Sequence, residues 1–539
     1  MPEHFTPEER TRLAPYFTNL DSHIFALTNL PETVKGALFA RYSRSAKSLR
    51  RLFLDEFADK VSDGAAAATQ PGNDAGLARA EKLYARVFNE YGDDSVAQLG
   101  GAHIACEYVS NVLTKTLEWG RLMAYLEQST RYVPYTDTLD GRWRYHVPEE
   151  IGAGTLRDRY VAAMDATFEA YARWIPPMQQ FFERRYPRNP ADSDAVHRAA
   201  IRAKALDTLR GMLPAATQSN VGIYGTGQAF EALLLRMRAQ PLQEVRSCAD
   251  QMLAELRKVI PAFLTRVDNP ERGGRWSEYL EATRERTEAV AAHLAGAEPE
   301  SREEVTLTDF DPDGEVKIVA AALYAVSDLP DDQLLALARR LSIDERVAVL
   351  RAYVGERSNR RHRPGRAFER TAYRFDVLTD YGAFRDLQRH RLLTLEWQAL
   401  TPRHGFTEPE AIAEAGARDD WNRVMDRSAD LHDAIAARGL KGVAPYAVSM
   451  AYRVRFYMDM NAREAMHVIE LRTAPQGHPA YRRVCQQMHT LIAERAGHRA
   501  VASAMRFVDH SDVELERLNA ERALERRRAA TEPARSIDD

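Results

Sequence analysis

The chain has 539 residues, more than one hydrophobic core ordinarily supports, so two domains of similar size are expected. Hydrophobic residues make up 45% and charged residues 28%, an ordinary globular composition. With 74 Lys and Arg against 78 Asp and Glu, the net charge of -4 excludes a chain built throughout to wrap nucleic acid.

The N-terminus, MPEHFTPEERTRLAPYF, lacks the basic segment and apolar run of a secretory leader. No stretch reaches the ~18 uninterrupted apolar residues of a membrane span. Cys106, Cys248 and Cys485 are odd in number and far apart in sequence, which excludes a disulfide framework and a CxxC metal site. A reduced, cytoplasmic protein is the expectation.

In chain order, HIFALTNL from His23 reads as a strand, and Pro31 and Glu32 open a helix through VKGALFARYSRS. The stretch from Leu77 to Leu122 reads as helical, interrupted at Tyr91–Asp94. Helices are expected from Thr155 to Tyr186, Val196 to Leu213, Ala229 to Met237 and Leu242 to Phe263, with a turn at Gly222–Gly227. Residues 269–313 read as a linker containing a charged helix, because Pro, Gly and acidic residues concentrate there. EVKIVAAALYAVSD then reads as a strand, and helical patterns continue to about residue 525. The tail 526–539 reads as disordered. The second half thus restarts in the order of the first, which points to an internal repeat.

Two arginine-centred segments carry the chemistry. Arg389-His390-Arg391 places three basic side chains together, and guanidinium groups bind phosphate oxygens bidentately. Glu127-Gln128-Ser129-Thr130-Arg131-Tyr132 is a hydroxyl-rich loop with an arginine, suited to cradling an anion. Taken singly, each also fits a plain solvated turn. The loop SNRRHRPGR (358–366) is a dense basic stretch, open to a cofactor phosphate, nucleic acid or solvent alone. The fifteen histidines form no HxH or HExxH pattern, so no metal site is expected.

Together the two segments resemble the two halves of the signature of flavin-dependent thymidylate synthases, R-H-R-x-x-S-x-N-E-x-S-x-R-Y. The first stretch, Arg121 to Tyr132, keeps one arginine of the triplet and all of E-x-S-x-R-Y. The second, Arg389 to Pro402, keeps the triplet and loses the rest. The two are offset by 270 residues (391 minus 121). Upstream, YGDDSVAQLGGAHI and RPGRAFERTAYRF resemble the family's G-x-x-S/T-P-F-E-H segment. Downstream, Asn461-Ala462-Arg463 through Leu471-Arg472 matches its N-A-R…L-x-L-R stretch. Thr226 to Arg238, preceded by Arg210-Gly-Met-Leu-Pro214, keeps the other arginines and loses the Asn and the arginine of N-A-R.

The resemblance implies an α+β fold: two tandem copies of the family's small sheet with long helices, pseudo-dimeric within one chain. Residues 1–268 would form the first copy, with the nucleotide half-site, and 314–525 the second, with the flavin half-site. It implies FAD as cofactor, NADPH and methylene-tetrahydrofolate as co-substrates, and methylation of dUMP or a related pyrimidine nucleotide at C5. Arg389, His390, Arg391, Asn461, Arg463 and Ser95 would bind the flavin. Glu127, Ser129, Arg131, Arg210 and Arg238 would bind the nucleotide. Arg238, Ser129 and Arg472 would take part in catalysis, with Arg238 or Arg472 polarising the pyrimidine. Family members are homotetramers with sites between subunits, so a homodimer of this chain, forming a pseudo-tetramer, is expected. No membrane or nucleic-acid partner is.

Neither stretch is complete. Glu396, Trp397 and Thr401-Pro402 replace signature residues, and Asp386 stands where the family has a Gln contacting the nucleotide; an acid there would repel a phosphate. Two readings therefore stay beside the enzyme: an inert paralogue that binds flavin or nucleotide or serves as an assembly partner, and a nucleic-acid-binding protein.

Overall fold

The computed structural model describes residues 4–42, 45–59, 98–294, 296 and 300–531. The chain forms two compact units, each assembled from separate stretches of sequence. The first takes Met1–Glu107, Gly120–Glu127 and Asn220–Ala297; the second takes Tyr108–Trp119, Gln128–Ser219 and Glu298–Asp539. Compactness therefore does not follow the expected division at 268 and 314, because residues 128–219 pack with the C-terminal stretch.

The first unit is built on a sheet of order β1-β5-β2, formed by β1 (Gly101–Ser110), β2 (Met123–Glu127) and β5 (Gln218–Thr226). Both β1 and β5 run across the boundary between the units. β2 pairs antiparallel with β5, from Met123 opposite Gly225 to Glu127 opposite Val221. The turn expected at Gly222–Gly227 is thus a strand. Gly225 is there for closeness rather than for turning: an added Cβ would lie 2.6 Å from the Met123 side chain. Residues 101–110 are likewise strand, not helix. Only an isolated bridge, Phe17 to Leu27, forms where HIFALTNL was expected to be a strand. In this unit the Cys106 and Cys248 thiols, although far apart in sequence, lie close enough to shift each other's pKa, Cys106 down and Cys248 up.

The second unit carries the hairpin β3 (Thr138–Leu139) and β4 (Arg142–Trp143), and an antiparallel sheet of order β6-β7-β9-β8. Its strands are β6 (Val305–Phe310), β7 (Ala372–Asp380), β8 (Thr394–Trp397) and β9 (Arg453–Asn461). In β9, buried and partly exposed residues alternate, as a sheet with one covered face requires. The helix Thr155–Arg185 buries Tyr160, Phe168, Tyr171, Met178 and Phe182 along one face, and packs against Asp194–Leu209 and Arg418–Ala436. EVKIVAAALYAVSD is not a strand: Gly314–Tyr324 is a helix burying Val316, Val319 and Ala320. A short apolar run has no decisive period, and its alanines favour helix. Within the stretch read as a linker, Arg275–Leu294 is a helix, as expected, and Val305–Phe310 is strand β6. Of the tail expected to be disordered from 526, the residues up to Thr531 continue the helix Leu518–Thr531, as their Ala and Arg content favours, and 532–539 lie outside the described residues.

One order of elements recurs. β1, the helix Asn111–Leu117 and β2 are followed by β5 and the helix Gly227–Arg238; β7, the helix Tyr381–Leu387 and β8 are followed by β9 and the helix Ala462–Arg472. The sheet orders β1-β5-β2 and β7-β9-β8 correspond. The short helices begin 270 residues apart (381 minus 111).

Within the second unit, the middle and C-terminal stretches share one core. Tyr381 Oη donates to Asn111 O at 2.9 Å, Gln388 Nε2 donates to Lys115 O at 2.7 Å, and Pro214 bridges Ser449. Among the described residues, no helix is long and apolar enough to cross a membrane.

Candidate functional site

The arginine-rich segments meet inside the second unit. Arg131 follows β2, on the loop that starts at Gln128, and is buried. Its Nε donates to both Asp207 oxygens at 2.7 and 2.9 Å, and its Nη2 donates to Oδ2 at 2.6 Å. Nη1 reaches Gln476 O and Tyr481 Oη, each at 3.3 Å. Burial acts to lower the Arg131 pKa, but the Asp207 charge outweighs it and raises the pKa. Ser129 Oγ accepts from Arg131 N at 3.3 Å, so this serine shapes the loop.

Arg210 sits at the start of a tight turn, Arg210–Met212, after the helix Asp194–Leu209. Gly211 allows that turn to lie on Trp421, since an added Cβ would stand 2.7 Å from the indole. The Arg210 guanidinium is buried, with Nη1 3.6 Å from Asp386 Oδ2 and Nη2 without a hydrogen-bond partner. It also lines a cavity of about 530 Å³, with Asp380, Trp421 and His478 among the walls.

Asp386 lies near the end of the helix Tyr381–Leu387, and Arg389-His390-Arg391 occupies the turn into β8. The Arg389 Nη2 group donates to the Asp386 carboxylate, and Arg472 lies 3.7 Å from it. Arg472 closes the helix Ala462–Arg472; its Nη2 donates to the Asp386 backbone carbonyl and its Nε donates to His390 Nε2 at 2.9 Å. Burial opposes the Asp386 charge, but Arg389, Arg472, Arg210 and Arg131 together hold its carboxyl far below the ordinary range.

His390 is buried, and burial followed by the Arg472 charge pushes its pKa well down, so the ring is neutral. Because Nε2 accepts from Arg472, the proton is assigned to Nδ1, 3.8 Å from Glu464 Oε1. Burial raises Glu464 to about 7 against the pull of Arg363, Arg463 and Arg391. Burial and the Arg363 and Arg360 charges lower His467 to about 4; Arg363 Nη2 is 2.9 Å from its Nδ1. His390, Glu464 and His467 offer ligand atoms within 4.8 Å of one another, a geometry capable of holding a metal that spacing along the chain did not reveal. The encircling guanidiniums oppose a cation there.

The structure thus brings Arg131, Arg210, Arg389, His390 and Arg472 together. Arg463 lies beside Glu464 and bonds Pro364 O at 2.9 Å and Glu369 at 3.4 Å. Arg391 is exposed within the electrostatic reach of Glu464. Asn461 Oδ1 accepts from Glu464 N at 2.9 Å, so its side chain caps a helix. Arg238 belongs to the first unit and pairs with Asp250 at 2.6 Å, and Glu127 is buried in that unit on β2. Ser95 lies outside the described residues. The sequence reading missed Asp207, Glu464, His478 and Tyr481. Asp207 is one acid in an ordinary helical pattern, and nothing local distinguishes it.

The profile described as thymidylate synthase complementing protein matches residues 39–262 and 306–496. A UPF0159 protein of Chlamydia muridarum is 37% identical over 520 residues, 96% of this chain and 98% of that protein. A flavin-dependent thymidylate synthase of Clostridium tetani is 28% identical over 174 residues, 32% of this chain and 64% of that protein. A solved structure of a UMP/dUMP methylase from Streptomyces cacaoi, bound with 5-Br dUMP, aligns with 38% of this chain and 97% of its own at 18% identity, with a TM-score of 0.30. With two segments matched that together span most of the sequence, the chain belongs to the thymidylate synthase complementing protein family, that of the flavin-dependent thymidylate synthases.

Proposed function

We propose that the chain methylates dUMP or a related pyrimidine nucleotide at C5, with FAD as cofactor and methylene-tetrahydrofolate and NADPH as co-substrates. In this reading it descends from two fused copies of the family fold, and its site combines the nucleotide half of one with the flavin half of the other. The observation that carries the reading is the convergence of Arg131 and Arg210 with Arg389, His390 and Arg472 in one unit.

The donor set suits a flavin dinucleotide. Arg360, Arg363, Arg391 and Arg463 surround His467 and Glu464, and guanidinium groups match a pyrophosphate. When bound there, FAD would accept the hydride of NADPH and mediate transfer of the one-carbon unit from methylene-tetrahydrofolate, chemistry for which the chain has no side-chain equivalent. The chain's own part is binding and electrostatics. Arg131 and Arg210 hold the nucleotide phosphate. Arg472, fixed by its bond to neutral His390, stabilises negative charge developing on the pyrimidine. Glu464, with a pKa near 7, can hold or release a proton at its carboxylate at neutral pH.

A second reading, an inert paralogue, draws on one observation: Asp207 and Asp386 already satisfy Arg131 and Arg389. The visible absorption spectrum of the concentrated protein, with and without FAD and dUMP, separates the two. Flavin bands that shift on adding dUMP support a joint site. A protein that takes up no FAD leaves the inert reading.

A further inference from the structure

Arg131, Arg210, Arg389 and Arg472 all act on the Asp386 carboxylate, and the cluster is mostly buried. Arg389 bonds that carboxylate directly, and Arg210 and Arg472 stand 3.6 and 3.7 Å from it. The two longer separations are ion-pair contacts rather than formed hydrogen bonds. Arg210 Nη2 is buried without a partner, so the carboxylate does not saturate the donors around it. Four guanidinium groups face the carboxylates of Asp207 and Asp386, with Asp380 beside Arg210, so the guanidiniums outnumber the carboxylates. Burial raises the pKa of the nearby Asp380 against the pull of Arg210. His390 and His478 are held neutral, so the excess rests on the arginines. An excess of guanidiniums with a spare Arg210 N–H donor matches a phosphate monoester, which offers three acceptor oxygens where a carboxylate offers two.

We propose that Asp386 is a built-in counter-anion: its carboxylate occupies the place between Arg210 and Arg389 that a ligand's phosphate takes on binding, and it is displaced when the phosphate enters. The aspartate does not simply repel the phosphate. It keeps buried guanidiniums paired in the empty chain, where unpaired charges would be destabilising, and it sets the affinity by competition. The inference rests on reading the cluster as an anion site and not on which nucleotide it takes.

The test measures binding of inorganic phosphate, and separately of dUMP, to the full chain and to Asp386→Asn, by calorimetry and thermal shift against chloride at equal ionic strength. The Asn variant should melt lower than the parent without phosphate, regain the loss with phosphate, and bind phosphate at least tenfold more tightly. Asp386→Glu, which keeps the competing charge, should bind it no more tightly than the parent. Equal or weaker affinity in the Asn variant overturns the proposal. So does an Asn variant that stays unfolded in phosphate, because a free anion would then be unable to replace the carboxylate. Tighter phosphate binding with no added affinity for dUMP keeps the counter-anion and removes the nucleotide reading.

Discussion

At the Arg131–Asp207 pair, both side chains are nearly buried, 10% and 5% exposed, and the geometry is bidentate. Arg131→Ala leaves the Asp207 carboxylate uncompensated, for which a loss of about 3–5 kcal/mol is expected in urea unfolding. Removing both charges with an apolar pair should recover most of that loss. Glu464 and His467 make a second prediction. The folded state raises Glu464 to about 7 from 4.5, so its contribution to stability is full below pH 4.5 and is lost as pH rises through 7. His467, lowered to about 4 from 6.5, contributes fully above pH 6.5 and loses that as pH falls through 4. The two oppose each other between pH 4.5 and 6.5. Glu464→Gln removes the first, so the variant's Tm should fall more steeply than the parent's on acidification from pH 7 to 4.5. Parallel pH profiles would refute the raised value. At this scale the sequence exposes the arginines, which stand in motifs. It hides the acids that neutralise them, because Asp207 gains its meaning from a partner 76 residues away.

Between residue and molecule stand the short turns that aim the site. The Arg210–Met212 turn rests on Trp421 because Gly211 has no side chain. Gly211→Ala is expected to lose about 1–3 kcal/mol by overpacking, and to weaken phosphate binding as Arg210 shifts. Thermal melting and a phosphate titration on the same sample check both. Asn461 and Thr226 hold equivalent places: each ends a strand and caps the helix that follows. Asn461→Ala should lose about 1 kcal/mol of stability through the cap, whatever it does to flavin uptake. Long amphipathic helices such as Thr155–Arg185 were legible because many turns repeat one apolar face. The glycine-bearing strand β5 and the alanine-rich helix Gly314–Tyr324 were not. Glycine in β5 reads as a turn until Met123 is known to lie against it, and a short apolar run does not reveal its period.

Across the whole molecule, the two motif-bearing stretches contribute to one unit, so Arg131→Ala and Arg389→Ala should each abolish the same methylation activity if the composite site is correct. Activity retained by either would sink that arrangement. The chain crosses between its units at 107/108, 119/120, 127/128, 219/220 and 297/298. Residues 298–539 expressed alone should therefore stay unfolded, lacking 108–119 and 128–219, and should regain native circular dichroism when coexpressed with 1–297. The interleaving bears on heredity as well as on folding. A recombination break near residue 298 would yield two products, the shorter of them without residues 108–119 and 128–219 of its own core, so selection would act against such breaks. Under the proposed fusion of two copies, both would then be inherited as one locus, and each would be free to lose what the other retains.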